Sequence, residues 1–197
     1  MEKRKNKRVV ERPSIELLEA EINRTKYRRR YRTVLKSTVY ALITVAAIAV
    51  LVATLWLPVM QTHGSSMAPT LENGEILFSV KTKHLEQGEI IAFYYNNKVL
   101  VKRVIAGPGQ WVDIDDDGNV FVDGQLLDEP YLTEKSLGNA DIDLPYQVPD
   151  EKYFVMGDHR STSADSRHTA VGCVSSEQMV GRIAFRVWPL SQFGPVE

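Results

Sequence analysis

Gly64-Ser65-Ser66-Met67-Ala68-Pro69-Thr70 follows almost directly on a run from Ser37 to Val59 that contains no charged residue. The heptapeptide is a small-residue loop with two adjacent serine hydroxyls, stopped by a proline. Such residues are ordinary turn formers, so by itself the stretch reads as a linker between an anchor and a domain. What precedes it sets its surroundings. The 23 residues from 37 to 59 span roughly 34 Å as a helix, enough to cross a hydrocarbon core of about 30 Å. Ser66 is therefore expected within a few residues of a membrane surface.

Charge gives that segment a direction. Residues 1–36 hold 13 Lys and Arg against 5 Asp and Glu, while residues 37–197 hold 11 against 20. A basic stretch on the N-terminal side of a span is retained in the cytoplasm. The apolar run also exceeds the 7–15 residues of a cleavable signal's apolar region. The expected organisation is a basic cytoplasmic tail (1–36), a transmembrane helix (37–59) and an extracytoplasmic domain (60–197). Within the tail, Pro13-Ser14 opens a short helix with Ile15, Leu18 and Ile22 on one side. Trp56 sits near the far end of the span, where aromatic rings favour the interface. An acidic body argues against a nucleic-acid partner, despite Arg28-Arg29-Arg30. Cys173 is the only cysteine, which leaves no disulfide framework within the chain.

Beyond Thr70 the pattern predicts an all-β domain. Strands are expected over 75–80, 89–95 and 99–105, the last two joined as a hairpin by Asn96-Asn97. A second hairpin, 111–114 with 119–122, turns on Asp115-Asp116-Asp117-Gly118. Residues 106–150 read as a loop-rich β insertion. The run from Asp113 to Gly118 matches the start of a calcium loop, D-x-D-x-D-G. Position twelve of that loop is Gly124, where a bidentate Glu is required, so no metal is assigned.

Two further stretches carry chemistry. Lys102 shares a strand face with Leu100 and Val104, an unusual place for lysine unless its stem snorkels outward or the amine is held desolvated. Downstream, Gly157-Asp158-His159-Arg160-Ser161-Thr162-Ser163-Ala164-Asp165-Ser166-Arg167 alternates acid and base densely enough to form a hydrogen-bonding frame. His159 and His168 beside Asp158 and Asp165 leave a Ser-His-Asp triad open, because a triad is defined by geometry rather than by order.

Taken together and in order, these stretches resemble the boxes of bacterial type I signal peptidases of the short, single-span kind (peptidase family S26). Ser66-Met67-Ala68-Pro69-Thr70 resembles the nucleophile box. Gln87-Gly88-Glu89-Ile90-Ile91-Ala92-Phe93 resembles the strand that follows. Lys102-Arg103-Val104-Ile105 with Gly107-Pro108-Gly109 resembles the lysine box, and Gly157-Asp158-His159-Arg160 through Arg167 the last. Gln87, Glu89, Ala106, Gly107, Gln110 and His159 depart from the usual pattern without touching Ser66 or Lys102.

The resemblance implies a membrane-bound serine endopeptidase that removes signal peptides from exported pre-proteins at the plasma membrane, with the lipid bilayer as its other partner and no cofactor. Ser66 is the implied nucleophile and Lys102 the general base, with Ser163 aiming the lysine amine. Where some relatives carry a serine as a second oxyanion donor, Gly64 stands here, so any second donor is backbone. Asp158, Arg160, Asp165 and Arg167 are implied as a structural frame, with Asp165–Arg167 the expected ion pair. Met67, Leu71 and Val101 match positions that line the substrate pockets, which accept small side chains. The alternatives are a non-hydrolytic assembly factor on the same fold, a microsomal-type enzyme with His in place of Lys102, and a tethered binding domain.

Overall fold

A computed structural model describes residues 14–56, 59–82 and 84–196, with side chains of 52–56 outside the description. The first 13 residues of the basic tail, Leu57-Pro58 of the expected span and the Trp56 side chain thus lie outside the described residues. The chain divides into two compact units, residues 1–53 and 54–197.

One helix, α1, runs unbroken through Ile15–Trp56 and makes up the described part of the first unit. The expected short helix and the membrane segment are thus a single element. The cause is composition: no Gly or Pro occurs between Pro13 and Pro58, and the basic stretch is built of good helix formers. Ser14 opens the helix, its Oγ accepting from Leu17 N–H at 3.4 Å. The hydroxyls of Thr38 and Thr44 donate to the carbonyls of Val34 and Tyr40 at 3.0 and 2.9 Å, which satisfies them without water. Among the described residues this is the one helix long and apolar enough to cross a membrane. The expected span reached Val59; instead α1 ends at Trp56 and Val59 opens a strand. Pro58 lacks the N–H a helix needs and disfavours helical backbone at the residue before it.

The second unit is all-β, with antiparallel pairing throughout. Its main sheet runs β1 (Val59–Gln61), β2 (Ile76–Val80), β11 (Met179–Trp188), β3 (Ile90–Tyr95), β4 (Lys98–Ala106), β9 (Lys152–Met156) and β10 (Val174–Ser175). A short β12 (Gly194–Pro195) pairs with β11. The smaller sheet is ordered β7 (Gln125–Leu126), β6 (Val120–Val122), β5 (Trp111–Ile114), β8 (Tyr146–Gln147). Apart from Ala106, which ends β4, it accounts for the β part of residues 106–150.

The β3–β4 hairpin forms as the sequence predicts. Asn96 and Asn97 take φ of 45° and 62°, the pair of positive values that a two-residue turn needs to match strand twist. The resulting register sets Lys102 opposite Ile91 and Arg103 opposite Ile90. Three apolar clusters fill the unit. Ile105, Phe154 and Met156 of the main sheet pack with Val112, Ile114, Val120 and Val122 of the smaller one. Met67 and Leu71 pack on Leu77, Ile90, Ala92 and Ile183. Ile91, Phe93, Val104, Tyr153, Val155 and Val174 form the third.

Candidate active site

The loop after β1 is seated by its apolar members. Met67 and Leu71 are 4% and 1% exposed, and burying each such side chain is worth about 1.5–3 kcal/mol. Two tight turns shape it: Ala68 N–H donates to Ser65 O at 3.0 Å and Leu71 N–H to Met67 O at 2.8 Å. Sandwiched between them, Ser66 stays half-buried. Among the described residues no acceptor takes its backbone N–H, which leaves that group available to an incoming oxygen.

Strand β4 delivers the partner. Lys102 Nζ donates to Ser66 Oγ at 2.7 Å, and Lys102 is 2% exposed. Its cross-strand neighbour Ile91 and its same-face neighbours Leu100 and Val104 all belong to one apolar cluster. Burial accordingly pushes the amine down to about 8, against the opposing pull of Asp165 and with help from Arg167. Neither imidazole of the rival triad takes this place. His168 Nδ1 faces Asp141 Oδ2 at 3.3 Å. His159 approaches the serine through its backbone, its N–H donating to Ser66 O at 3.1 Å.

Around this pair lies a buried ionic frame. Asp165 and Arg167 meet through two bonds of 2.9 Å. Burial alone would raise the Asp165 carboxyl, but the Arg167 hydrogen bonds and charge outweigh it and hold it low. Asp165 Oδ2 also accepts from Gly157 N–H at 2.9 Å. Asp158 takes a forked pair from Arg103 Nε and Nη2 at 3.0 and 2.8 Å and the Thr70 hydroxyl at 2.5 Å. The Arg103 guanidinium lies 3.8 Å from the Tyr131 ring centre. Arg160 pairs with Glu129, both side chains fully buried, and reaches Gly157 O at 3.1 Å.

One expected contact is not formed. Ser163 is buried, and no hydrogen bond joins its Oγ to Lys102; its hydroxyl instead helps to hold the Asp165 carboxyl low. The reason is steric position: Ser163 is packed against Gly157 so closely that a Cβ there would overlap both Ser163 Oγ and Ser66 O. Gly64 N–H donates to Asn73 Oδ1 at 3.1 Å.

A cavity of about 110 Å³ opens beside the serine. Ser66, Gly64, Met67, Leu71 and Val101 line it, together with Met60 and Leu100. It therefore collects the three residues expected to contact substrate. Glu129 was not anticipated from sequence, and neither were Met60 and Leu100. Glu129 lies 31 positions from its partner, and no local pattern marks it.

The sequence model of the family described as signal peptidase, peptidase S26 matches residues 35–188. Signal peptidase IB of Staphylococcus aureus is 39% identical over 150 residues, covering 66% of this chain and 77% of that protein. Signal peptidase I T of Bacillus subtilis (strain 168) is 36% identical over 143 residues, covering 66% and 73%. A crystal structure of a signal peptidase I from Enterococcus faecalis V583 aligns at a TM-score of 0.42 and 29% identity, over 51% of this chain and 97% of that one. With its matched region running from within α1 to the end of β11, the chain belongs to the signal peptidase family, peptidase S26.

Proposed function

We propose that Ser66 and Lys102 form the catalytic dyad with which this signal peptidase removes signal peptides from exported pre-proteins. The observation that carries the assignment is the 2.7 Å contact between Ser66 Oγ and a buried Lys102 Nζ. A serine hydroxyl is a weak nucleophile until a base takes its proton. Burial makes the amine that base by disfavouring its charged form. As Oγ bonds the scissile carbonyl carbon, its proton passes to Nζ. The carbonyl oxygen gains charge toward the free Ser66 N–H. Collapse breaks the C–N bond, the leaving amine takes the proton from Nζ, and water then releases the acyl group from Ser66.

Substrate fits a built place. Residues 98–102 of β4 pair with β3 on one side, while β9 begins pairing only at Arg103. The other edge of that stretch is open to an extended peptide, which would pair as an added strand. The adjoining cavity, with Met67, Leu71 and Val101 in its wall, suits small side chains before the cut. Asp158, Arg160, Asp165 and Arg167 act as the frame that keeps β4 and the serine loop in register. The anchor is α1, with the 13 basic residues of the first 36 on the cytoplasmic side of the plasma membrane and the β unit outside.

Replacing Lys102 by Arg tests the dyad. Guanidinium keeps the charge but cannot give up its proton in a protein, so a folded Lys102→Arg enzyme is expected to be inactive on a pre-protein. Ser66→Ala should be equally inactive, while His159→Ala and His168→Ala should keep most of the activity. Near-normal cleavage by Lys102→Arg would falsify the assignment.

A further inference from the structure

The loop that carries Ser66 is tied at its base and gripped again at its middle. At the base, Thr62 N–H donates to Glu75 O and Gly74 N–H to Thr62 O, both at 2.9 Å. Glu75 N–H returns to Thr62 Oγ1 at 3.0 Å, and that hydroxyl donates to Glu72 O at 2.5 Å. At the middle, Thr70 is held by its hydroxyl and by its carbonyl. Its hydroxyl donates to Asp158 Oδ2 at 2.5 Å, and its carbonyl accepts from Arg186 Nη2 at 2.5 Å.

Arg186 lies outside every motif that marks the family. It sits on β11, opposite Leu77 of β2. Its Nη1 donates to Gln192 Oε1, and its Nε is 3.0 Å from Glu75 Oε2, with the two side chains 15% and 4% exposed. That ion pair is close but not aligned as a hydrogen bond, so Thr70 O and Gln192 set the direction of the guanidinium. One arginine thus spans the loop, from Glu75 at its base to Thr70 near the serine.

We infer that Arg186 is a positioning residue for the nucleophile: it struts the Ser66 loop against strand β11 through the Thr70 carbonyl. The inference rests on the reading of Ser66 as the nucleophile. Met67 and Leu71 already seat the loop in the core, but apolar burial is non-directional and leaves the loop free to slide by fractions of an ångström. Beyond the bond from His159 N–H to Ser66 O, two directional anchors at Thr70 limit that freedom on the far side of the serine. Asp158 ties Thr70 to Arg103, the neighbour of Lys102, and Arg186 ties it to β11. With one anchor gone, Ser66 Oγ loses its fixed distance to Lys102 Nζ, and water gains access to the amine.

The experiment uses the full chain in detergent and follows cleavage of a signal-peptide substrate across pH. Arg186→Met alone leaves Glu75 buried without its counterion, so it is paired with the double variant Arg186→Met/Glu75→Gln, which carries no orphaned charge. Burial already raises the Glu75 carboxyl against the pull of Arg186, which makes the neutral amide a tolerable replacement. For the folded double variant kcat is expected to fall about tenfold or more, in line with the cost of small misplacements at a reacting centre. KM should change less than kcat, since the open edge of β4 and Val101 of the cavity wall are untouched. The ascending limb of kcat/KM should move to higher pH as Lys102 becomes hydrated, and Arg186→Lys should restore part of the rate. A double variant with parental kcat overturns the inference. So does a loss of rate that tracks the unfolded fraction and leaves the pH limb in place. Ser66→Ala run alongside separates the two readings: if that variant still cuts, the nucleophile assignment has failed rather than the strut.

Discussion

Lys102 Nζ lies 2.7 Å from Ser66 Oγ across 36 positions of sequence, and the amine that makes this contact is held at about 8 chiefly by burial. Only the neutral amine can accept the serine proton. It follows that kcat/KM should rise with pH through about 8 and level off above it. A pH–rate series on a signal-peptide substrate measures this directly. A profile that is flat between about pH 6 and 9 would contradict a lysine base.

The same burial makes Lys102 a liability for stability. Its folded value of about 8 lies below the ordinary lysine value of about 10.4. Between those two values the unfolded chain holds a proton that the folded chain has released, so stability climbs with pH through that window. Below it the full penalty of a charged buried amine is present, about 3 kcal/mol at 1.36 kcal/mol per unit. Lys102→Met should therefore be inactive yet more stable than the parent at neutral pH, by about 2 kcal/mol once the lost hydrogen bond is counted. The advantage should vanish by about pH 10.5. Thermal melts of both proteins across this range give the answer, and a variant less stable at pH 7 refutes it.

Those parts of the site that depend on local chemistry were legible in the sequence, and those that depend on distant pairing were not. Asn96-Asn97 encodes a two-residue turn, and that turn fixes which face Lys102 takes. The desolvating neighbours Leu100 and Val104 followed from alternation alone. Strand β11 carries the same signal, with Ile183, Phe185 and Val187 alternating with Arg182, Ala184 and Arg186. Its place between β2 and β3 comes from long-range pairing that no local pattern contains. The Asp165–Arg167 pair spans two residues and could be foreseen. The pairing of Arg160 with Glu129 crosses 31 and could not. Ser163 illustrates a different limit: its box places it beside Ser66 and Lys102, but its hydroxyl lies close against Gly157 and acts on Asp165 rather than on the lysine.

Arg160 and Glu129 form the most deeply buried ion pair of the frame, with no side-chain exposure on either partner. Removing one member leaves an uncompensated charge, which costs about 3–5 kcal/mol. Glu129→Ala is expected to lose that much in denaturant unfolding. The double variant Glu129→Met/Arg160→Met should lose far less, because two apolar side chains of similar length leave no buried charge behind. A coupling of at least about 1 kcal/mol is expected from the full cycle. Simple additivity of the two single changes would show that the pair is not acting as a unit.

Gly157 is where the frame meets the Ser66 loop. Its N–H is held by Asp165 and its carbonyl by Arg160, so its backbone is pinned from both sides. A Cβ at this position would overlap the Ser66 carbonyl oxygen and the Ser163 hydroxyl. The Ser163 side chain can rotate away from such an intruder. The Ser66 carbonyl cannot move without breaking its bond from His159 N–H and shifting Oγ away from Lys102. Gly157→Ala is therefore expected to reduce kcat by on the order of a hundredfold, with little change in KM. The accompanying loss of stability should be only about 1–3 kcal/mol, the usual cost of overpacking. Adding Ser163→Gly relieves one of the two overlaps and should recover stability more than rate, because the overlap with Ser66 remains. If Gly157→Ala instead keeps kcat within about twofold of the parent while folded, the serine loop tolerates the displacement, and close approach at Gly157 does not set the position of Ser66.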